Sequence, residues 1–330
     1  MDLSIIVPAY NTEKWISQCL TSLCKQNYRP DQFEVIVIND GSPDDLESIV
    51  LELQKKYTNI RYIKQKNGRQ GKARNTGLAS ARGRYIAFVD SDDCWTNEET
   101  ISILISLADQ YHLDIISSSE YHSFTGIPKK QNYIANGIEI YSREQFLEKI
   151  RHFSVWISFY SSQVIKNIHF RENCFFEDLD YVYKAIWTVG VNGKIGVIRF
   201  PFYGYRQNPH STTNTYQIQT FIDNCIANDL VFRFCRSRDD MSSECMENLY
   251  ARFQKSLLTL LSISRHYPLK ESRKALKQID LVSLFRETGK TGNWKLETTR
   301  HYQHVSAFPP LGSSDNSSID PYKTLHNTLR

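Results

Sequence analysis

No stretch of this chain approaches eighteen consecutive apolar residues, so no segment reads as a membrane-spanning helix. Cysteine is present but never as C-x-x-C, and its count of 7 is odd. That argues against a zinc site or a disulfide framework and suits reduced, buried thiols in a cytosolic protein. A strong excess of one charge is also missing: 40 Lys and Arg against 36 Asp and Glu leave a formal net charge of +4. With no RNP, zinc-finger or helix-turn-helix pattern beside it, that balance gives no reason to expect a nucleic-acid partner. The N-terminal apolar run, Leu3 to Ala9, is too short for a signal peptide and lacks its basic start, so the expected localisation is cytoplasmic. No internal repeat is evident. What the chain has is core: 41% hydrophobic and 12% aromatic residues over 330 positions, enough for one large domain plus a smaller appendage.

The N-terminal part alternates strand and helix. Leu3–Ala9 and Phe33–Ile38 are short, β-branched apolar runs of the kind covered on both faces. Between them Trp15, Ile16, Cys19, Leu20 and Leu23 repeat on one helical face, with Asn11 or Thr12 as the expected cap. Further helices are expected at 46–57, 71–81 and 98–110, and strands at 60–63, 85–89 and 113–117. This order predicts an α/β fold with a mostly parallel sheet and helices on both sides. In such sheets ligands bind beyond the carboxyl ends of the strands. The residues there are Tyr10 and Asn11, then Asp40-Gly41-Ser42, then Asp90-Ser91-Asp92-Asp93.

The last of these is the most informative. Three carboxylates delivered together at the end of a buried strand form a charge concentration that asks for a cation. A lone Asp-x-Asp is equally turn or helix-cap chemistry, so its neighbours decide. Residues 67–77 are glycine-rich and basic but contain neither G-x-G-x-x-G nor G-x-x-x-x-G-K-[ST], which excludes the dinucleotide fingerprint and the P-loop. They still place Arg69, Lys72 and Arg74 near a helix start, where cations and backbone N–H groups together suit a diphosphate. Asn39-Asp40-Gly41-Ser42-Pro43 is good turn chemistry, so Asp40 also has a purely local reading.

Taken in order, Ser4-Ile-Ile-Val-Pro-Ala-Tyr-Asn11, Val37-Ile-Asn-Asp-Gly-Ser42, Asn67-Gly68 with Gly71-Lys-Ala-Arg-Asn-Thr-Gly77, and Gly83 to Asp93 resemble the family 2 glycosyltransferases of GT-A fold. The resemblance implies inverting transfer of a sugar from a nucleotide diphosphate donor, usually a UDP-sugar, assisted by Mg²⁺ or Mn²⁺. It implies that Pro8 and Tyr10 border the base, that Asp40 accepts a hydrogen bond from it, and that Arg69 lies near base or phosphates. Asp90 and Asp92 would serve ribose, metal and diphosphate, and Asp93 is a further candidate for the metal.

Inversion needs a general base for the acceptor hydroxyl. Phe175-Phe-Glu-Asp-Leu-Asp180 supplies acids at the start of an expected helix, where acids also cap free N–H groups and complement the dipole. On the family pattern, which has a Glu-Asp pair after a Trp-containing segment like Val155–Tyr160, the base is Asp178 with Glu177 in reserve; Asp180 reads as a solvated or structural acid. Phe202–Thr212 resembles another family element. From it Arg206 and His210 would reach donor or acceptor on a mobile loop, or it is an aromatic strand ending in an Asn-Pro turn.

The expected layout is a catalytic domain over 1–214, with nucleotide-sugar binding in 1–118 and the acceptor side in 119–214. A helical extension follows over 215–286 and a polar tail over 287–330. Residues 252–300 hold eleven Lys or Arg against four acids, the composition of a solvated face or of a surface resting on anionic lipid. The expected acceptor is a glycan, lipid-linked in many relatives of this kind, for a surface polysaccharide. Two rivals fit the same rim: a sugar nucleotidyltransferase and a non-catalytic nucleotide-sugar binding subunit.

Overall fold

A computed structural model describes residues 1–130, 137–149, 154–190, 192–208, 218–238 and 241–264. In chain order the elements are β1 (Leu3–Ala9), α1 (Glu13–Cys24), β2 (Phe33–Asn39), α2 (Leu46–Lys56), β3 (Ile60–Lys64), α3 (Arg69–Ser80), β4 (Tyr85–Phe88), β5 (Cys94–Trp95) and α4 (Thr100–Tyr111). Then come β6 (Ile115–Ser118), β7 (His122–Phe124), β8 (Ile138–Tyr141), α5 (Arg143–Lys149), a 3₁₀ turn (Val155–Ile157), β9 (Ser158–Ser161) and α6 (Ser162–Ile165). The described chain finishes with α7 (Glu177–Thr188), β10 (Ile195–Ile198), β11 (Tyr203–Arg206), α8 (Ile218–Arg236) and α9 (Ser243–Ser264).

Eight strands form one sheet in the order β3-β2-β1-β4-β9-β6-β10-β8, and β5, β11 and β7 form a second, smaller one. The large sheet is parallel except at β9, which runs antiparallel between β4 and β6, and at the edge strand β8. Because β9 is antiparallel to both neighbours, β6 points the same way as β1 and β4, and their carboxyl ends share one rim.

Strand side chains alternate between two cores. Ile5, Val7, Val35 and Val37 pack with Ile16, Cys19, Leu20 and Leu23 of α1, Leu46 and Val50 of α2, and Leu104 and Ala108 of α4. Ile6, Ile86 and Phe88 face the other way, against Leu179, Val182, Ala185 and Ile186 of α7 and Phe146 of α5. Val231 and Phe232 of α8 and Leu249 and Tyr250 of α9 belong to this second core too. One compact unit therefore runs from Met1 to Leu257. Phe88 is ringed edge-on by Phe170 at 5.2 Å, Tyr181 at 6.0 Å and Tyr160 at 6.2 Å, the favoured geometry for aromatic quadrupoles.

Two glycines let α3 sit close to its neighbours. A Cβ on Gly77 would lie 2.4 Å from Ile6 of β1, and one on Gly71 would lie 2.0 Å from the Arg171 carbonyl oxygen. The second contact joins the start of α3 to the loop that leads into α7. Among the described residues no helix is long and apolar enough to cross a membrane.

Candidate active site

The rim is built from hydrogen bonds between loops that follow different strands. The Asp40 N–H donates to the Ala9 carbonyl at 2.9 Å, and the Asn11 N–H to Ser42 Oγ at 2.7 Å. Asp44 Oδ2 accepts from the Glu13 N–H at 2.8 Å, so an acid from the loop after β2 caps α1. The expected cap, Thr12, instead shares a 3.0 Å hydroxyl bond with Ser91 in the acid motif. Pro8 is buried in β1, while Tyr10 stands 49% exposed at the rim.

Asp40 is buried, and its carboxylate accepts from Gln65 Nε2 at 2.7 Å and from the Gly68 N–H at 2.9 and 3.1 Å. Its contacts are thus not confined to its own turn. It holds the loop that opens α3, and Asn39 makes the turn bond, accepting from the Ser42 N–H at 2.8 Å. Arg69 follows at φ 65°, exposed, with its guanidinium 4.5 Å from the Phe175 ring centroid. Asn11, Arg69, Asn173 and Phe176 all carry positive φ, and left-handed backbone at non-glycine positions collects where function over-determines it.

Arg74 departs from its expected role. Rather than offering its charge to a ligand, it is 2% exposed and donates to Asp90 Oδ1 at 2.8 Å and to the Glu177 carboxylate. Phe170 lies beneath it at 5.4 Å. A guanidinium between two carboxylates in a low-dielectric interior is held firmly charged, and burial alone would have opposed this. One residue of α3 thereby ties the end of β4 to the start of α7.

The acids of the Asp90–Asp93 stretch bond different partners. Asp90 turns to Arg74. Asp93 turns inward, accepting from Tyr203 Oη at 2.7 Å and from the Arg206 N–H at 2.7 Å, and it is buried. Both Asp93 oxygens thus accept bonds inside the fold. Asp92 keeps partial exposure and accepts from Asn208 Nδ2 at 3.2 Å. Burial, followed by the neighbouring Asp90 charge, raises the Asp92 carboxyl above the usual range. Burial and then Asp92 and Asp90 raise Asp93 further.

Arg206 is likewise internal. Its Nε donates to the Asp92 carbonyl at 2.6 Å, one terminal nitrogen to the Gly126 carbonyl at 3.0 Å, and the other to Gln18 Oε1. With Phe124 under it at 4.6 Å, it pins the acid loop from β11 and does not extend from a mobile loop. His210 lies outside the described residues.

At α7, Glu177 is taken by Arg74, and Asp180 is taken by Arg171 and Lys184, both at 2.7 Å. Asp178 retains partial exposure. Burial and the Glu177 charge, partly offset by Arg74, push its carboxyl up to about 7. Of the three acids in this turn it is the one poised to exchange a proton near neutrality.

Whether a divalent cation suits this rim follows from its charges. Asp90, Asp92, Asp93, Glu177 and Asp178 share one buried region in which Arg74 is the guanidinium bonded to carboxylates, and three of the five carboxyls are raised. Among the described residues no three His, Cys, Asp or Glu form a ready cage. Mg²⁺ and Mn²⁺ need no such cage when phosphate oxygens and water complete the shell around one or two carboxylates. Asp92, with the second oxygen of Asp90, fits that description.

An α/β sheet with its acids and basic helix start on one rim is the architecture of a GT-A enzyme. The sequence pattern of glycosyl transferase family 2 matches residues 4–168, and the chain belongs to that family. It is 32% identical over 224 residues to the uncharacterized glycosyltransferase EpsJ of Bacillus subtilis, covering 64% of this chain and 62% of that protein. It is 38% identical over 117 residues to the poly(ribitol-phosphate) beta-N-acetylglucosaminyltransferase TarS of Staphylococcus aureus, covering 35% of this chain and 20% of TarS. The chain thus spans less than two thirds of the length of these relatives. The crystal structure of S. aureus TarS in complex with UDP-GlcNAc superposes with a TM-score of 0.66 at 23% identity, over 84% of this chain and 79% of that one. The Pyrobaculum calidifontis mannosyltransferase PcManGT, in complex with GDP-Man and Mn²⁺, gives 0.56 at 14% identity, over 92% and 83%.

Proposed function

We propose that this chain is an inverting glycosyltransferase of the hexosyltransferase type, moving a sugar from a UDP-sugar to a glycan acceptor. The single observation that carries the reading is the Asp90–Arg74–Glu177 bridge, which couples the acid motif after β4 to the turn holding Asp178. Donor and base then sit on one rigid frame, as direct displacement requires.

In this reading Tyr10 and Pro8 border the base, Asp40 holds the loop beneath it, and Arg69 meets the phosphates from the start of α3. Asp92 and Asp90 would hold Mg²⁺ or Mn²⁺, which when bound would offset the negative charge that grows on the leaving diphosphate. Asp178 takes the proton from the acceptor hydroxyl as that oxygen attacks the anomeric carbon. Glu177 serves by positioning, since Arg74 occupies it. The names of two relatives, a poly(ribitol-phosphate) beta-N-acetylglucosaminyltransferase and a minor teichoic acid biosynthesis protein, support a surface polysaccharide as the product class. Cytoplasmic localisation and lipid contact through residues 252–300 complete the proposal, the latter resting on composition alone.

A thermal-shift screen of nucleotide sugars with and without Mn²⁺ tests donor class, because a ligand of the folded state raises its melting temperature. UDP-sugars with metal are expected to stabilise most. Release of UDP on adding acceptor marks sugar transfer; pyrophosphate release instead would identify a nucleotidyltransferase. Donor binding without turnover in any acceptor would identify a binding subunit.

A further inference from the structure

Aromatic rings gather on the rim beside the acid motif, and the roles assigned so far leave them unused. Tyr121 lies three residues past the end of β6, and Trp156 lies just before β9, whose antiparallel course brings its start to the same rim. Tyr203 and Tyr205 alternate along β11 and face the same way. Trp156 lies nearly parallel to Tyr203, with centroids 4.2 Å apart and planes at 23°, and to Tyr205 at 6.0 Å and 23°. Tyr121 meets both edge-on, 5.3 Å from Trp156 and 6.1 Å from Tyr205.

The pavement has a buried and an open end. Tyr203 is fully buried, donates to Asp93 and accepts from the Asp90 N–H at 3.2 Å, which fixes the cluster against the acids. Trp156 and Tyr205 are partly exposed, and Tyr121 is 38% exposed. A core has no need to continue as aligned rings into solvent. A flat, electron-rich face suits a pyranose ring, whose axial C–H bonds carry partial positive charge. Exposed Ser119, Glu120 and Gln207 flank the rings with groups that pair with sugar hydroxyls. The surrounding acids disfavour an anionic ligand here.

We propose that Trp156, Tyr205 and Tyr121 form the acceptor subsite, stacking one neutral hexopyranose unit of a glycan so that its hydroxyl is presented toward Asp178. This rests on the glycosyltransferase reading and adds to it a place and a chemical class for the acceptor. The position follows from a chain of contacts: Trp156 stacks on Tyr203, Tyr203 accepts from the Asp90 N–H, and Arg74 pairs Asp90 with Glu177, the residue before Asp178.

The test uses the full chain with saturating UDP-sugar and Mn²⁺, titrated with chitotetraose, cellotetraose, maltotetraose and, as an anionic control, a ribitol phosphate oligomer. At least one neutral tetrasaccharide is expected to quench tryptophan fluorescence, and Trp156→Phe should abolish that change while the other four of the chain's 5 tryptophans remain. Tyr121→Ala, a substitution at an exposed ring, should raise the saccharide Kd about fivefold to tenfold, with the UDP-sugar thermal shift unchanged. A neutral saccharide whose binding ignores both substitutions overturns the subsite. So does an absence of quenching by all three, or tight binding of the ribitol phosphate oligomer alone. Loss of the UDP-sugar thermal shift in the unmodified chain would instead sink the glycosyltransferase reading, so the two failures are distinguishable.

Discussion

Arg74 and Arg206 both bond the stretch that holds Asp90, Asp92 and Asp93, and both are buried, yet they do different work. Arg74 binds two carboxylates, from β4's loop and from α7. The guanidinium of Arg206 binds two carbonyls and a glutamine amide. The first neutralises charge and the second shapes backbone. On the Arg206 side, each Asp93 oxygen accepts a hydrogen bond inside the fold, one from Tyr203 and one from a backbone N–H. On the Arg74 side, Asp90 and Glu177 are fixed and Asp178 is left raised and partly open, while Asp92, whose carbonyl Arg206 holds, keeps a raised and partly open carboxyl. The contrast separates acids that build the rim from acids available for chemistry.

The sharpest way to break that division is Asp178→Asn. If Asp178 is the open, proton-accepting member, turnover should fall on the order of 10³-fold while the donor-induced thermal shift is retained. Unchanged turnover would move it among the structural acids. Next in size is Arg74→Met, which leaves half-buried Asp90 and buried Glu177 without a cation. Loss of one partner from such a pair costs about 3 kcal/mol or more, readable by urea unfolding, and Arg74→Lys should recover only part because an ammonium lacks the two-pronged fork. Arg206→Met should cost less, about 2 kcal/mol, because it strands neutral acceptors rather than charges. Equal losses at the two arginines would erase the distinction. Tyr203→Phe is smaller again, about 1 kcal/mol, removing one hydroxyl from Asp93 and one acceptor from the Asp90 N–H.

Much of the frame is legible in the sequence because its signals are local. The apolar runs at Leu3–Ala9 and Phe33–Asn39 are strands buried on both faces, and the one-sided stripe from Ile16 to Leu23 is the buried face of α1. The strand-end rule finds Tyr10, Asp40 and Asp90 for the same reason. What local pattern cannot carry is partnership across the chain. Arg74 reads as one of three cations near a helix start, and its partners lie 16 and 103 residues away. A hint exists in the buried positions Gly71, Arg74 and Gly77, which share one face of α3 and so point Arg74 into the protein. Asp93 looks like its neighbours until Tyr203, 110 residues on, claims it. The antiparallel insertion of β9 is hidden as well, since Ser158–Ser161 is four residues long and pairs with strands on either side of it in the sheet.

The two classes of acid also differ in their response to pH. Because the folded state keeps the Asp178 proton up to about 7, it binds protons that the unfolded chain has already released. That contribution to stability is fully present below the ordinary carboxyl range and is lost as pH rises through about 7. Removing the titratable group by Asp178→Asn should therefore flatten the loss, leaving the variant about 1 kcal/mol or more above the unmodified chain at pH 8 and no better at pH 4. In the unmodified enzyme, kcat/KM should climb tenfold per pH unit toward about 7 and then level, as the base ionises. Tyr203→Phe shares the acid loop but leaves Asp178 alone, so its pH profile should keep the same inflection at reduced height. A shifted inflection there would mean that the acids on the two sides titrate as one group, and that the Arg74 and Arg206 sides of the rim are electrostatically continuous.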